Sequence, residues 1–273
     1  TRGEQWNRLL NSGEEVEAIK GTFDKASRRA RSTDASTESL FLLRSNASER
    51  KLDALAQAGE LARFRYLHFA THGSMDDQVA MRSALILAQD DISEDENFER
   101  AVEGKVVYDG RLTADNIVKT WKLDADLVTL SACKTALGKQ AGGEGYLGFS
   151  QAFFVAGARS LVLSLWAVSD EATNLLMQRF YQNLLGEFTE SRGDFATGEA
   201  MPKAEALAEA KRWLRALPRT EAQTLVTQLV QRTRADSDEA PDGDTRGSGK
   251  VDADQDFSDP YFWAGFVLIG DRE

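Results

Sequence analysis

A chain of 273 residues has room for one large α/β domain or two small ones, and burying about three quarters of its unfolded surface lets it stand without disulfides. Its single cysteine, Cys133, can form no internal bridge, which points to a reducing compartment. Its composition of 42% hydrophobic and 28% charged residues is that of a globular protein, with no apolar run near the ~20 residues of a membrane span. The net charge of −11 sits in two segments: residues 89–103 carry seven acids and one Arg, and residues 234–260 nine acids and three bases. With no basic stripe and interleaved aromatics, direct nucleic-acid binding is disfavoured as the main role.

In chain order, the N-terminus has neither a starting Met nor an apolar signal core, which predicts an excised or processed piece. A helix is expected from Trp6 to about Lys25, then a polar linker over residues 27–39. The basic run Arg28-Arg29-Ala30-Arg31 reads as a solvated, protease-sensitive connector. Residues 39–44 suggest a short strand. Asn46 and Glu49 have capping-box spacing ahead of a helix whose stripe is Leu52, Leu55 and Ala56, ending at Gly59. Residues 64–70, short and rich in aromatic side chains, predict a buried strand that stops at Thr71-His72-Gly73.

A strand at 84–88 leads into the first acidic segment, expected to be a loop. Residues 106–108 suggest a small strand, and Thr113 caps a short helix to Trp121. The continuous apolar run at 126–132 predicts a buried strand ending at Cys133. A turn with Gly138, Gly142, Gly143 and Gly145 follows, then a helix over 146–156 that ends at Gly157. Residues 160–166 make another buried strand, and 170–185 an amphipathic helix. Pro202 suits the first turn of a helix to about Leu217, with a further helix over 220–233. After the second acidic segment, expected to lack regular structure, residues 262–269 close the chain as a strand. Strands alternating with helices predict an α/β fold with an open, mostly parallel sheet, whose working site lies at the carboxyl ends of the strands.

Two histidines and one cysteine then stand out. His72 and Cys133 each lie just past the end of a buried strand, and if those strands are parallel neighbours the two side chains meet at one sheet edge. A thiolate nucleophile needs an imidazole nearby to take its proton and return it to a leaving amine. The blander alternative is an inert buried thiol and a structural histidine. His68, inside its strand, reads as a packing residue. It would lie ~13 Å from His72 along an extended chain, so the two cannot share a metal. One cysteine gives no zinc spacing. The Gly-rich turn lacks the Lys-Ser/Thr of a P-loop, which disfavours nucleotide hydrolysis. No serine sits in a G-x-S-x-G elbow. Neither a metal nor a cofactor is called for.

The segments Tyr66-Leu67-His68-Phe69-Ala70-Thr71-His72-Gly73, Asp126-Leu127-Val128-Thr129-Leu130-Ser131-Ala132-Cys133-Lys134-Thr135, Ala156-Gly157-Ala158-Arg159-Ser160, Ser164-Leu165-Trp166 and Trp263-Ala264-Gly265-Phe266-Val267 resemble the CHAT family. These are caspase-like, separase-related domains, common behind tetratricopeptide repeats in bacterial proteins. The likeness runs in order from about Ser39 to Gly270. It implies a three-layer α/β/α sandwich for residues 39–273, with 1–38 as an N-terminal helix and linker.

It further implies a cysteine endopeptidase with His72 as general base and acid and Cys133 as nucleophile, the backbone N–H groups of Gly73 and Cys133 forming an oxyanion hole. The partners implied are a protein substrate and a fused or bound sensor that regulates the site, in the bacterial cytoplasm and with no membrane contact. The long acidic segment before the last strand departs from the family pattern. The caspase signature Gln-Ala-Cys-Arg-Gly is absent too, so a preference for Asp is not expected. Leu165-Trp166-Ala167-Val168-Ser169-Asp170 is similar to a separase stretch in a family that cleaves after arginine, which makes Asp170 the first candidate for a basic P1 pocket. Glu144, then Asp76 and Asp77, follow. The rival reading is a catalytically silent scaffold or interaction module on the same fold.

Overall fold

The computed structural model describes residues 6, 9, 12–29, 39–76, 78–89, 93–105, 107–131, 144–235 and 256–273, without the side chains of residues 144–146, 230 and 232–235. The architecture is mixed α/β, with eight α-helices and a mostly parallel sheet among the described residues. The chain divides into a sheet unit, residues 42–167 and 267–271, and a helical unit made from residues 168–266 with the N-terminal helix and the last two residues.

In the sheet unit the strands are β1 (Tyr66–Ala70), β2 (His72–Ser74), β3 (Ala84–Ile86), β4 (Arg111–Thr113), β5 (Leu127–Ser131), β6 (Ser160–Ser164) and β7 (Phe266–Gly270). Four of them form the main sheet in the order β1-β5-β6-β7. β1 runs parallel to β5 and β5 to β6. The end of β7 meets the start of β6, where Asp271 N–H donates to Arg159 O at 3.0 Å, so that edge is antiparallel. β5 and β6 are buried at every position, as expected for apolar runs in a parallel sheet covered on both faces. Val128, Leu130, Leu161 and Leu163 share one core with Ile117, Phe149 and Phe153. Full burial of each such side chain contributes about 1.5–3 kcal/mol.

Helices α2 (Glu49–Gln57), α3 (Glu94–Val102), α4 (Ala114–Thr120) and α5 (Glu144–Ala156) complete this unit. Thr113 caps α4 as expected, accepting from Asn116 N–H at 3.1 Å. At the amino ends of the strands Asp126 accepts from Arg65 Nε at 2.7 Å and from Arg159 Nη1 at 2.7 Å, which pins β1, β5 and β6 together opposite their carboxyl ends.

Several local expectations differ from what the fold adopts. Residues 39–43 form no strand, though Leu43 itself has extended backbone, and a 3-10 turn follows at Arg44–Asn46. The cap of α2 is Ser48, not Asn46, its hydroxyl accepting from Lys51 N–H at 3.3 Å. The first acidic segment is largely helix, because Ser93 accepts from Glu96 N–H and the acids Glu94, Asp95 and Glu96 fill the first turn, where the helix dipole favours them. Residues 107 and 108 form no strand, Val106 lies outside the described residues, and β4 forms instead at Arg111–Thr113. β7 starts later than expected because Pro260–Phe262 is a 3-10 turn capped by Asp259.

Glu49 has an unusual setting. It is 5% exposed, and its Oε2 accepts from Asp109 N–H at 3.0 Å and Gly110 N–H at 3.1 Å, holding the turn before β4. Burial, helped by the nearby Asp109 and Asp53 charges, pushes its pKa up to about 7 against those two hydrogen bonds. A carboxyl whose folded pKa is raised stabilises the fold fully below its unfolded pKa near 4.5, and that contribution is lost as pH climbs to about 7. Glu49→Gln, which keeps an oxygen for both N–H groups, should therefore gain on the wild type by on the order of 1–3 kcal/mol between pH 5 and pH 8. Melting temperatures at the two pH values check this; parallel pH dependence in both proteins would contradict it.

The helical unit holds α1 (Ser12–Arg29), α6 (Asp170–Leu185), α7 (Lys203–Ala216) and α8 (Arg219–Ala235). α6 begins and ends where expected, with Ser169 as cap and Gly186 at φ 67° closing it. α1 and α7 pack on α6, through Phe23 on Tyr181 at 5.7 Å and Arg179 Nε on Glu209 Oε2 at 3.0 Å. α1 runs further than expected. Arg28 and Arg29 belong to its last turn, and Arg29 donates to Gly186 O at 2.6 Å and Leu185 O at 2.7 Å. A guanidinium satisfying the last carbonyls of α6 is no loose connector; Ala30 and Arg31 lie outside the described residues. So do residues 236–255 of the second acidic segment. Phe257 beyond them is buried, at 1% exposure.

Candidate active site

Because β1, β5 and β6 are parallel, their carboxyl ends share one edge. The register there pairs Ala70 with Ser131. The adjacency of the two strands, left conditional by the sequence, is therefore real.

His72 lies just past the end of β1, as expected, and there it opens a further short strand, β2, paired with Ile86 of β3, and it is buried. The cause is Thr71, whose hydroxyl donates to the Ile86 carbonyl and turns the chain out of the parallel sheet into a separate antiparallel one, β2-β3-β4. Gly73 pairs with Leu85 and Ser74 with Ala84, and Arg111 Nη2 of β4 donates to Ser74 Oγ at 3.1 Å. The imidazole thus stands on a short, three-stranded support rather than on a free turn. His68 lies mid-strand opposite Thr129, half-buried, as a packing residue would.

On the other side of the edge, β5 ends at Ser131. Cys133 lies outside the described residues, as do Ala132 and Gly138, Gly142 and Gly143 of the Gly-rich turn. Asp77 is outside them too. Glu144 and Gly145 open α5, but nothing of the Glu144 side chain is described. Ser131 was missed from sequence. It is 5% exposed, and its hydroxyl has no hydrogen-bond partner among the described residues. A buried hydroxyl without a partner costs about 1–3 kcal/mol. The available signal was a serine closing a mostly apolar strand, two positions before the cysteine.

Asp76 follows β2. Its Oδ1 accepts from Val79 N–H at 2.8 Å and Gln78 N–H at 3.0 Å, while its own N–H donates to Ser83 Oγ at 3.1 Å. The backbone bonds to Val79 and Gln78 hold its carboxyl below the usual range. The carboxylate therefore organises the turn that leads into β3. Asp170, the first candidate for the P1 pocket, opens α6 in the helical unit, beside Ser169, whose hydroxyl accepts from Ala172 N–H at 3.3 Å.

Gly148 connects the two halves of the sheet-unit edge. It lies in α5, the helix that follows residues 132–143. A Cβ there would sit 2.1 Å from Ala80 O, in the 3-10 turn Ala80–Arg82 that follows β2. Neither backbone can yield to a methyl group without moving the chain after His72 or the chain after Cys133. Gly148→Ala should cost about 1–3 kcal/mol, a fall in Tm of roughly 2–12 °C. Thermal unfolding followed by circular dichroism checks this, and an unchanged Tm would show that the approach is looser than the geometry requires.

No group of three or more His, Cys, Asp or Glu side chains among the described residues could hold a metal ion. Among the same residues no helix is long and apolar enough to cross a membrane. Compared with known protein families, the chain matches the model of the CHAT domain over residues 2–271, nearly its whole length. A search of curated proteins returns no match.

Proposed function

This chain belongs to the CHAT domain family, and from that premise we propose that it is a cysteine endopeptidase acting through Cys133 and His72. The family is caspase-like and peptidase-related, which supports this class of chemistry. The observation that carries the reading to these residues is the parallel pairing of β1 with β5. Ala70 faces Ser131, and His72 and Cys133 each follow two residues later in the chain.

In the proposed cycle His72 takes the thiol proton and the Cys133 sulfur attacks the scissile carbonyl carbon. The oxyanion that forms is held by the N–H groups of Gly73 and Cys133. Collapse breaks the C–N bond, and the imidazolium gives its proton to the leaving amine. Water, deprotonated by the same imidazole, then hydrolyses the thioester and restores the thiol. Burial of His72 on β2 supports this role, because a base held in one orientation loses little freedom on reaching the transition state.

The finer reading is cleavage after Arg or Lys in a protein partner, with Asp170 in the P1 pocket and Glu144, Asp76 and Asp77 behind it. Of these, Asp76 already serves two backbone N–H groups, which makes it the weaker candidate for meeting a substrate cation. Regulation by a fused or bound sensor, in the cytoplasm of a bacterium, completes the proposal.

An electrophilic peptide probe, an acyloxymethyl ketone with Arg at P1, tests the central claim. Labelling of Cys133 in the wild type and its loss in His72→Ala is the expected result. Labelling that does not depend on His72 would mark an ordinary thiol. No labelling would favour the silent scaffold.

A further inference from the structure

We propose that the outward face of α3 is a docking helix for another protein, one that offers an apolar groove rimmed by Lys and Arg. The helix is built inside out. An ordinary surface helix turns its apolar stripe inward, yet none of the nine residues of α3 is buried, and its half-buried positions are the polar Glu96, Asn97 and Arg100. Phe98 and Val102 point the other way, 71% and 72% exposed, the two most exposed large apolar side chains among the described residues. Scattered single apolar residues on a surface are unremarkable. Two of them one helical turn apart form a continuous ridge, the arrangement with which a helix enters a partner's groove.

Specific bonds hold the helix in this orientation. Asn97 Nδ2 donates to Tyr108 O at 2.6 Å, and Tyr108 N–H donates to Asn97 Oδ1 at 2.9 Å. Arg100 donates to Asp53 Oδ2 at 3.1 Å and lies 3.8 Å over the Tyr108 ring, whose hydroxyl donates to the same carboxylate at 2.7 Å. Glu96 pairs with Arg50 of α2. Rolling the helix to bury Phe98 would break all of these contacts at once, so the apolar ridge is locked facing solvent.

Charge selects the partner. The exposed positions around the ridge include Glu94, Asp95 and Glu99, with Glu103 just past the helix, where it pairs with Lys105 at 2.7 Å and a partner's cation would compete for it. A groove rimmed by Lys and Arg meets them favourably, and complementary rims of this kind set partner choice. A second copy of this chain offering the same face would bring acid against acid, and an anionic lipid surface would be repelled. The proposal holds whether or not the chain is a peptidase, since no group of the proposed active site takes part in it.

The test places the photo-crosslinking residue benzoylphenylalanine at Phe98 in the full chain, in the cells that make it, with the same residue at exposed Lys122 as control. The expected result is one adduct, joined through a stretch of the partner that borders an apolar groove with Lys or Arg on its rim. Its yield should fall at least about tenfold with Val102→Asp, and by a similar factor with Glu99→Lys and Glu103→Lys together. All three side chains are exposed and lie outside the anchoring bonds to Tyr108 and Asp53, so the Tm of the variants should match the wild type. A yield no greater than at Lys122, an adduct with a second copy, an adduct indifferent to these substitutions, or a partner surface without a cationic groove would each overturn the proposal.

Discussion

Cys133→Ala and His72→Ala are each expected to lower cleavage of a fluorogenic peptide by at least about a thousandfold in kcat/KM, and the double variant should be no worse than either. The non-additivity follows from shared work. A thiol without its base is mostly protonated, and a base without its thiol has nothing to activate, so removing the second partner costs nothing further. Cys133→Ala should leave the fold intact. His72 is buried on β2 beside Ile86, so His72→Gln, closer in volume, separates a lost proton acceptor from a collapsed support. Circular dichroism and Tm establish the fold for each variant, and kinetics on a mixed library of peptides give the activity. Wild-type cleavage by purified Cys133→Ala protein would end the mechanism. Additive losses would mean that the two residues act separately.

The buried strands were the most legible part of this chain, because burial on both faces demands a continuous apolar run. Residues 127–132 come close to one, with only the small hydroxyl side chains of Thr129 and Ser131 breaking it, and β5 falls inside it. What such a run does not contain is the identity of its neighbour. β1 and β5 are separated in sequence by the whole antiparallel β2-β3-β4 sheet, so their adjacency was available only as a condition. The strand β2 that His72 opens was not legible, for a related reason. Where the chain leaves β1, the Thr71 hydroxyl bonds to the Ile86 carbonyl of β3, a partner 15 residues away that a threonine at a strand's end does not announce.

α3 shows the opposite case. Its hydrophobic period places Phe98 and Val102 on the solvent side, and its inward face is polar. A search for an apolar stripe facing a core therefore finds none. The Ser93 cap was the one signal of helix, and the charge of the segment masked it. The apolar stretch at 40–43 misled in the other direction, since β-like composition without a strand to pair with forms no strand.

The largest expected effect on specificity concerns Asp170. Peptides with Arg or Lys at P1 should be cut far better than those with Asp or Leu, and Asp170→Asn should reduce the preference for Arg at least about tenfold, the loss of one charge-assisted pair. Arg should be favoured over Lys, because a carboxylate accepts a guanidinium through two parallel bonds and an ammonium only as a point charge. The competing account is local. Asp170 is the first residue of α6, beside the cap Ser169, where the helix dipole favours an acid without any help from substrate. The two accounts separate cleanly in one experiment. A purely dipolar role predicts that Asp170→Asn loses about 0.3–1 kcal/mol of stability while kcat/KM on Arg and Leu substrates keeps its ratio. A pocket role predicts that the ratio collapses, chiefly through the Arg substrate, with the Tm almost unchanged. Wild-type turnover of an Arg substrate by Asp170→Asn would remove Asp170 from the pocket. A preference for P1 Asp in the wild type would reverse the sign of the pocket altogether, since no carboxylate in that position can receive a second one at neutral pH without a proton between them.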